Sequence, residues 1–259
     1  MSLDATIVTP RAHAPAIHPA PATVAATPAR ASVARGPLRL TATTSAVVIG
    51  LVVLAGLYAT DQIVPATSEH QAELRIWLAA RAAGLASLGL LAVQIVIGLV
   101  LSHPTNRTTW RLSKLIFPWH EHIWVFVFAF IALHVVSLVA DPYAGVGVAG
   151  AFIPGLSDYR SAPVALGTLA MYAFVLTAVT ARWTKLLPPG VWLLLHRFAI
   201  VVFALSWLHG LLAGTDSPSL EFVYVALGLA VLAATAHRYW VVRREAGRKH
   251  APQPEVAAE

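Results

Sequence analysis

Two stretches of the chain place histidines inside apolar sequence. The first, "HEHIWVFVFAFIALH", carries His120 and His134, and the second, "HRFAIVVFALSWLH", carries His196 and His209. An ionisable side chain inside a membrane is costly, so each of these histidines needs a partner or a function. Imidazole is a natural axial ligand of haem iron, and filling both axial positions favours electron transfer over oxygen binding. The four histidines therefore predict haem sites.

The spacing of these histidines predicts how they pair. His120 and His134 are fourteen residues apart, and His196 and His209 are thirteen apart. Each separation is about 20 Å along a helix, and fourteen steps of ~100° return to within about 40° of the starting direction. Thirteen steps end roughly 140° away, so the second helix needs a local distortion or a groove that both rings enter from its sides. Equal depths on helices of the same direction pair His120 with His196, and His134 with His209.

His122 is an alternative ligand in the first stretch. Its twelve-residue separation from His134 is roughly 120° off on an ideal helix, which favours His120. The segment "HEHIW" is not the zinc-protease motif H-E-x-x-H, because Trp124 stands where the second histidine would be. Any one of these histidines alone is more simply explained as a hydrogen-bonded interior residue, so the matched pairs carry the argument.

Two arginines lie where the carboxylate of a haem could bind them. Arg81 is near one end of the second apolar segment, and Arg197 follows His196. A buried arginine requires an anion, and a propionate can accept a bidentate hydrogen bond from it. The alternative for both is a side chain that extends to the lipid headgroups.

The composition indicates a membrane protein. The 259 residues are 58% hydrophobic and only 12% charged, which leaves too little charge to cover a soluble surface. The chain has no cysteine, which excludes disulfides, thiolate catalysis, iron–sulfur clusters and Cys-ligated zinc. Its net charge of +6 comes from basic residues that flank apolar segments, which argues against nucleic acid as a partner.

Six apolar segments each approach the ~20 residues that cross a bilayer. We predict spans at about 42–60, 77–101, 120–140, 163–183, 191–213 and 219–241. Small residues in the second, "AARAAGLASLGLLAVQIVIGLVLS", would let another helix or a flat ligand approach closely. Prolines precede four of the spans, where the start of a helix tolerates them. These are Pro118, Pro163, Pro188, Pro189 and Pro218.

The basic residues predict the orientation of the spans. Of the 18 Lys and Arg residues, 14 fall on one side if both termini are cytoplasmic, among them Arg107, Arg111 and Lys114 in the second loop. The predicted fold class is thus all-α, an integral six-helix bundle over residues 41–242 with both termini cytoplasmic, in the cell inner (plasma) membrane. A disordered cytoplasmic tail is expected at 1–40, with an organellar transit peptide as the alternative, and a short basic tail at 243–259.

The six spans and the two histidine stretches resemble the ferric reductase-like transmembrane domain family. That family includes the membrane parts of ferric reductases and NADPH oxidases, and the haem subunit of the bacterial periplasmic methionine sulfoxide reductase system. The resemblance covers about residues 42–241, and "ARAAGL", "LHVVSLVADPYAGVG", "SDYR" and "LHGLLAGTDS" are similar to stand-alone bacterial, especially actinobacterial, members. It implies two b-type haems at the positions of the four paired histidines, and electrons that move from the cytoplasmic to the outer side.

The chain departs from the oxidases in one respect. They continue into flavin and nicotinamide domains, whereas only "HAPQPEVAAE" follows Lys249, and the chain has no Gly-rich dinucleotide fingerprint. The expected electron donor is therefore a flavoprotein, a membrane quinol or a loosely held flavin. The expected acceptor is a periplasmic reductase or a flavin-binding protein.

The sequence thus predicts a dihaem b-type membrane cytochrome, an oxidoreductase component that relays single electrons across the membrane. Six aromatic residues are expected to pack near the porphyrins: Trp119, Trp124, Phe126, Phe128, Phe203 and Trp207. One alternative is a terminal reductase that acts directly on an external ferric chelate. The non-enzymatic alternative is a transporter or scaffold whose histidines bind protons or divalent metals, although the spans contain few carboxylates.

Overall fold

A computed structural model describes residues 41–63, 66–102, 107–214 and 218–249, which are almost entirely helical. The helices are α1 (Ala42–Ile63), α2 (Glu69–Leu101), α3 (Arg107–Ala140), α4 (Gly147–Phe152), α5 (Ser161–Arg182), α6 (Pro189–Arg197), α7 (Ala199–Ala213) and α8 (Glu221–Lys249). With α6 and α7 taken as one span, six of them are long and apolar enough to cross a membrane. The all-α fold and the six spans are thereby confirmed, and they indicate a multi-pass membrane protein.

The outward faces of the spans are apolar. Leu54 on α1, Leu232 on α8 and Phe222 at the start of α8 are 65%, 63% and 71% exposed. A continuous apolar surface of this kind would drive aggregation in water. In a bilayer it is the expected exterior, because lipid tails are as apolar as leucine.

The core lies where α2, α3, α5, α7 and α8 meet. Its buried members are mostly aliphatic: Leu88, Leu91, Ala92 and Ile95 from α2, Ile123 and Val127 from α3, Phe174 from α5, Val202 and Phe203 from α7, and Tyr224 and Val231 from α8. The buried residues of α8 recur at a seven-residue interval, so one stripe of that helix faces the bundle.

Three boundaries differ from the prediction. Helix α2 begins at Glu69, eight residues before the predicted start of the second span. Helix α3 begins at Arg107, so the basic residues expected in the second loop lie in its first turns, and Pro118 lies inside the helix rather than before it. A proline removes one backbone hydrogen bond, but a membrane helix can retain it when neighbouring groups compensate. Helix α8 continues to Lys249, so residues 243–249 of the expected basic tail are helical. The expected tail at 1–40 and residues 250–259 lie outside the described residues.

The fifth span is interrupted at Phe198, which separates α6 from α7. Its backbone N–H donates to the carbonyls three and four residues earlier, at 3.1 and 3.3 Å. A turn that uses the bond to the third residue is tighter than an α-turn, and each such step rotates the chain about 20° further. The break lies between His196 and His209, but one such step supplies only about 20° of the roughly 140° that separates them on an ideal helix. The fifth span is thus locally distorted, and most of the angular difference remains, as expected if the two rings enter a groove from its two sides.

Residues 141–160 fold back over one end of the bundle. The Tyr159 hydroxyl donates to the carbonyl of Ala213 at 2.8 Å, and the Arg160 guanidinium donates to that of Leu212 at 2.7 Å. Arg160 has a φ of 38°, in the left-handed region that favours glycine, and its side-chain bond helps to hold it there. These contacts tie the loop to the last turn of α7.

A glycine sets the close approach of α1 to α3. A Cβ at Gly56 would lie 2.5 Å from a Leu133 methyl, whereas one at Gly50 on the same helix would meet nothing within 4 Å. We expect Gly56→Val to destabilise the bundle by about 1–3 kcal/mol, because Leu133 is buried and has little room to move. Thermal unfolding in detergent measures this change. Gly50→Val is the matched control, and an equal loss in both variants would contradict the packing argument.

Candidate cofactor site formed by two pairs of histidines

The structure brings the four histidines together as two pairs. The ring centroids of His120 and His196 are 6.0 Å apart with planes at 85°, and those of His134 and His209 are 6.2 Å apart with planes at 78°. In each pair one ring comes from α3 and the other from the fifth span. The pairs are the ones that equal depth predicts, and the role of their members as ligands stays a prediction.

Three of the four rings are fixed by a backbone carbonyl of a neighbouring helix. Nδ1 of His134 lies 2.6 Å from the carbonyl oxygen of Ala80, and Nδ1 of His120 lies 3.2 Å from that of Gln94. The third such bond joins Nδ1 of His209 to the carbonyl oxygen of Pro163, at 2.8 Å. A carbonyl oxygen can only accept, so Nδ1 carries the proton and Nε2 keeps its lone pair. This arrangement is typical of histidines that bind metals, whose second nitrogen donates to a carbonyl or carboxylate.

A glycine makes room for each of these three rings. A Cβ at Gly84 would lie 2.9 Å from His134, one at Gly98 2.9 Å from His120, and one at Gly167 2.7 Å from His209. Each glycine lies four residues after the residue whose carbonyl accepts the bond. A side chain there would stand over that carbonyl, whereas glycine leaves it open. We call each pair of carbonyl and following glycine a histidine cradle.

The two cradles on α2 repeat one another. Ala80 and Gln94 are fourteen residues apart, as are Gly84 and Gly98. The histidines that they hold on α3 have the same spacing and run in the opposite direction. Fourteen residues are about 21 Å of helix and nearly four turns. The same contact between a histidine of α3 and a cradle of α2 therefore occurs at two depths in the bundle.

The fourth ring, that of His196, is held differently. One fourteen-residue step along α5 from the third cradle leads to Thr177 and Ala181, so alanine stands where the other cradles have glycine. Nδ1 of His196 is buried and has no hydrogen-bond partner among the described residues. Its ring stacks instead on Trp192, with centroids 5.6 Å apart and planes at 12°.

The ring separations fit a shared metal atom. Two imidazoles that each bind one metal at about 2.0 Å have centroids roughly 6 Å apart, because each centroid lies about 1 Å behind its nitrogen. Each ring can rotate about its own metal bond, so the nearly perpendicular planes are compatible with this geometry. Among the described residues, no group of three His, Cys, Asp or Glu side chains could hold a metal ion. A metal at either pair would therefore need its remaining ligands from a cofactor or from water.

A cavity of about 550 Å³ adjoins the His134/His209 pair, and both rings line it. This volume is in the range of sites that bind organic cofactors. Its wall is mainly aliphatic, and the loop at 141–160 closes one side. The polar and aromatic residues in the wall are Trp77, Arg81, Ser87, Tyr159, Thr168, Phe174, Ser206 and Tyr224.

The two predicted arginines differ in their positions. Arg81 lines the cavity, and its guanidinium carbon lies 4.2 Å from the centre of the Trp77 ring. A cation held against an aromatic face at the edge of an apolar cavity is well placed to bind an anion. Arg197 is exposed at the end of α6 and does not line this cavity, and its predicted role stays untested.

His122 points away from the paired histidines. Its Nδ1 donates to the carbonyl of Pro118 in its own helix at 2.6 Å, and its side chain lines a different, apolar groove together with Trp119 and Phe126. Trp119 is 65% exposed and Phe126 43% exposed, so this groove lies on the outer surface of the bundle. His120 is thus the member of "HEH" that faces the fifth span.

The aromatic residues expected near the porphyrins do not line the cavity. Phe203 belongs to the buried core, Phe128 stacks on Phe174 at 6.5 Å, and the Trp207 indole donates to the carbonyl of Tyr224 at 2.9 Å. Trp77, Tyr159, Phe174 and Tyr224 line the cavity instead, and the sequence did not identify them. They lie on separate elements with no common spacing, so only the fold joins them.

No family model, curated protein or solved structure matches the chain. The functional argument therefore depends on the geometry of the two pairs and the cavity.

The cradles predict which ring nitrogen is protonated. In protein free of bound metal, we expect His120, His134 and His209 to be neutral Nδ1–H tautomers, because a carbonyl accepts from that atom. Nitrogen-15 NMR of histidine-labelled protein distinguishes the tautomers, and single His→Gln variants assign the signals. His196 is the internal comparison, since it has no such bond. Nε2–H tautomers at the three cradle histidines would contradict the arrangement.

Proposed function

We propose that this protein is a dihaem b-type membrane cytochrome that relays single electrons across a bilayer. The observation that carries the proposal is the geometry of the pairs. The ring centroids are 6.0 Å apart in one pair and 6.2 Å apart in the other, and the two pairs are fourteen residues apart along α3. His120 and His196 would hold one haem, and His134 and His209 the other. The sequence resemblance to ferric reductase-like membrane domains agrees with this proposal.

A porphyrin is the cofactor that the donor set supports best. Each pair offers two imidazoles, whereas a structural or catalytic zinc site takes three or four protein ligands. A porphyrin supplies the four ligands that the protein lacks, and iron with two axial histidines performs one-electron redox chemistry. An apolar cavity with a cation at its edge suits a flat macrocycle that carries carboxylates.

The residues of this chain fix and tune the sites. The cradle bonds hold three imidazoles neutral and in one tautomer, with Nε2 available as the ligand atom, and such bonds raise the basicity of the ligand. Arg81 would bind a haem carboxylate at the cavity edge. The aliphatic wall and the loop at 141–160 would keep water away from the His134/His209 site.

The orientation and partners belong to the same proposal. Positive-inside counting supports cytoplasmic termini in the plasma membrane, which makes His120/His196 the inner pair and His134/His209 the outer pair. Electrons would then enter from a flavoprotein, a quinol or a loosely held flavin on the cytoplasmic side. They would leave to a periplasmic reductase or a flavin-binding acceptor.

The first test is the haem content of the purified protein. We expect a reduced-minus-oxidised spectrum of low-spin haem b and about two haems per chain, since each has two axial histidines. His196→Ala and His134→Ala should each lose about one haem, because either change removes one axial ligand. Pyridine haemochrome assays measure the content.

His122→Ala is the matched control for these variants, because it changes a nearby histidine that faces elsewhere, and it should keep both haems. A colourless protein, even with haem supplied during expression, would refute the cytochrome. Haem loss in the control equal to that in the other variants would refute the assignment of ligands.

The glycine cradles give a second test. Gly98→Ala should lower the haem content toward one per chain, because the new Cβ would lie 2.9 Å from the His120 ring and displace it. Gly89→Ala is the matched control, since it lies on the same helix and its Cβ would meet nothing within 4 Å. Equal haem contents in the two variants would show that the cradle does not position the ligand.

A further inference from the structure

Helix α8 carries a half-buried arginine, Arg238, that is not part of either histidine pair. Nη1 of Arg238 is buried and has no hydrogen-bond partner among the described residues. Guanidinium donates and never accepts, so this atom requires an acceptor, preferably an anion. Arg238 lies within the apolar span Glu221–Gly247, where an ionisable residue is a candidate functional site.

The position of Arg238 follows from the fourteen-residue register. Tyr224 lines the cavity of the His134/His209 pair, and Arg238 lies fourteen residues further along α8. This interval is about 21 Å and returns to nearly the same face. Val231, midway between them, is buried on that face at 4% exposure. Tyr224 lies at the depth of the His134/His209 pair. Arg238 therefore lies on the same face of α8, about 21 Å further along the bundle.

The layer that Arg238 reaches is that of the His120/His196 pair. The second and sixth spans run in the same direction, and α2 packs against α8. On α2 the same interval leads from Gly84, against His134, to Gly98, against His120. Because α2 and α8 run in the same direction, a fourteen-residue step on each leads from the depth of the His134/His209 pair to that of the His120/His196 pair.

The neighbouring arginines on α8 have other contacts. Arg243 lies 5.3 Å from the Tyr239 ring centre and Arg244 lies 3.8 Å from that of Trp240. Arginines that stack on aromatic residues at the end of a span are ordinary interfacial anchors. Arg238 differs from them because a donor atom is buried and unsatisfied.

We infer that Arg238 binds a carboxylate of the cofactor held by His120 and His196, an inference that rests on the proposed function. It neutralises that carboxylate and fixes the orientation of the cofactor in the inner layer, the role proposed for Arg81 in the outer layer. A cation at this place favours the reduced, more negative form of the site. The other source of an anion at this depth is a lipid phosphate, which the experiment distinguishes.

The test is a redox titration of the full-length, haem-loaded protein in detergent, comparing wild type with Arg238→Gln, Arg238→Lys and Arg243→Gln. The inner haem is the titration component that is missing from the His196→Ala variant. We expect Arg238→Gln to lower the equilibrium constant for its one-electron reduction about tenfold, equivalent to about 59 mV. Arg238→Lys should restore part of the shift, and Arg243→Gln should change neither component.

The outer haem serves as the internal reference for folding. An unchanged outer component with a shifted inner one supports the inference. Two unchanged components, or equal shifts of both, overturn it. Unchanged potentials together with the loss of bound phosphatidylglycerol in native mass spectrometry would overturn it in favour of the lipid phosphate. A wild-type protein without haem would instead refute the proposed function, so the two failures are distinguishable.

Discussion

The arrangement of this bundle depends on one hydrogen bond made three times, from an imidazole Nδ1–H to the carbonyl of an adjacent helix. In the apolar interior no water is available to an imidazole, so its polar atoms must be satisfied by the protein or by a ligand. A helix carbonyl already accepts one intrahelical bond but has a second lone pair. The glycine four residues later gives the ring access to it, which brings the helices close and leaves Nε2 free of this bond.

The spans and the pairing of the histidines could be predicted, because hydropathy and spacing are local properties of the sequence. The six spans were predicted to within a few residues at most ends, since each needs a minimum apolar length. The fourteen-residue interval placed His120 and His134 on one face of α3. The thirteen-residue interval predicted either a distortion in the fifth span or rings that enter from two sides, and the break at Phe198 supplies only a small part of the rotation. The proposed ligands, the cofactor and the orientation stay predictions.

The remainder depends on contacts between elements distant in sequence. The cradles combine α2 with α3 and α5 with α7, so no single segment reveals them. One signal could have revealed the two cradles on α2: Gly84 and Gly98 are fourteen residues apart, as are the two histidines of α3. The wall of the cavity takes Trp77, Tyr159 and Tyr224 from three separate elements. Pro118 was misplaced because sequence rules assign proline to helix starts, whereas a long membrane helix can enclose it.

The repeated α2–α3 contact has a mechanical consequence. Both α3 histidines are seated on one rigid neighbour in the same register, so any sliding of α2 along α3 displaces the two rings together and by the same amount. The fifth span has no such constraint, because the interruption at Phe198 divides it into two shorter rods, each with one histidine. The α2–α3 side of the bundle therefore couples the positions of the two histidine pairs. The fifth span allows the histidine of each pair to move by itself.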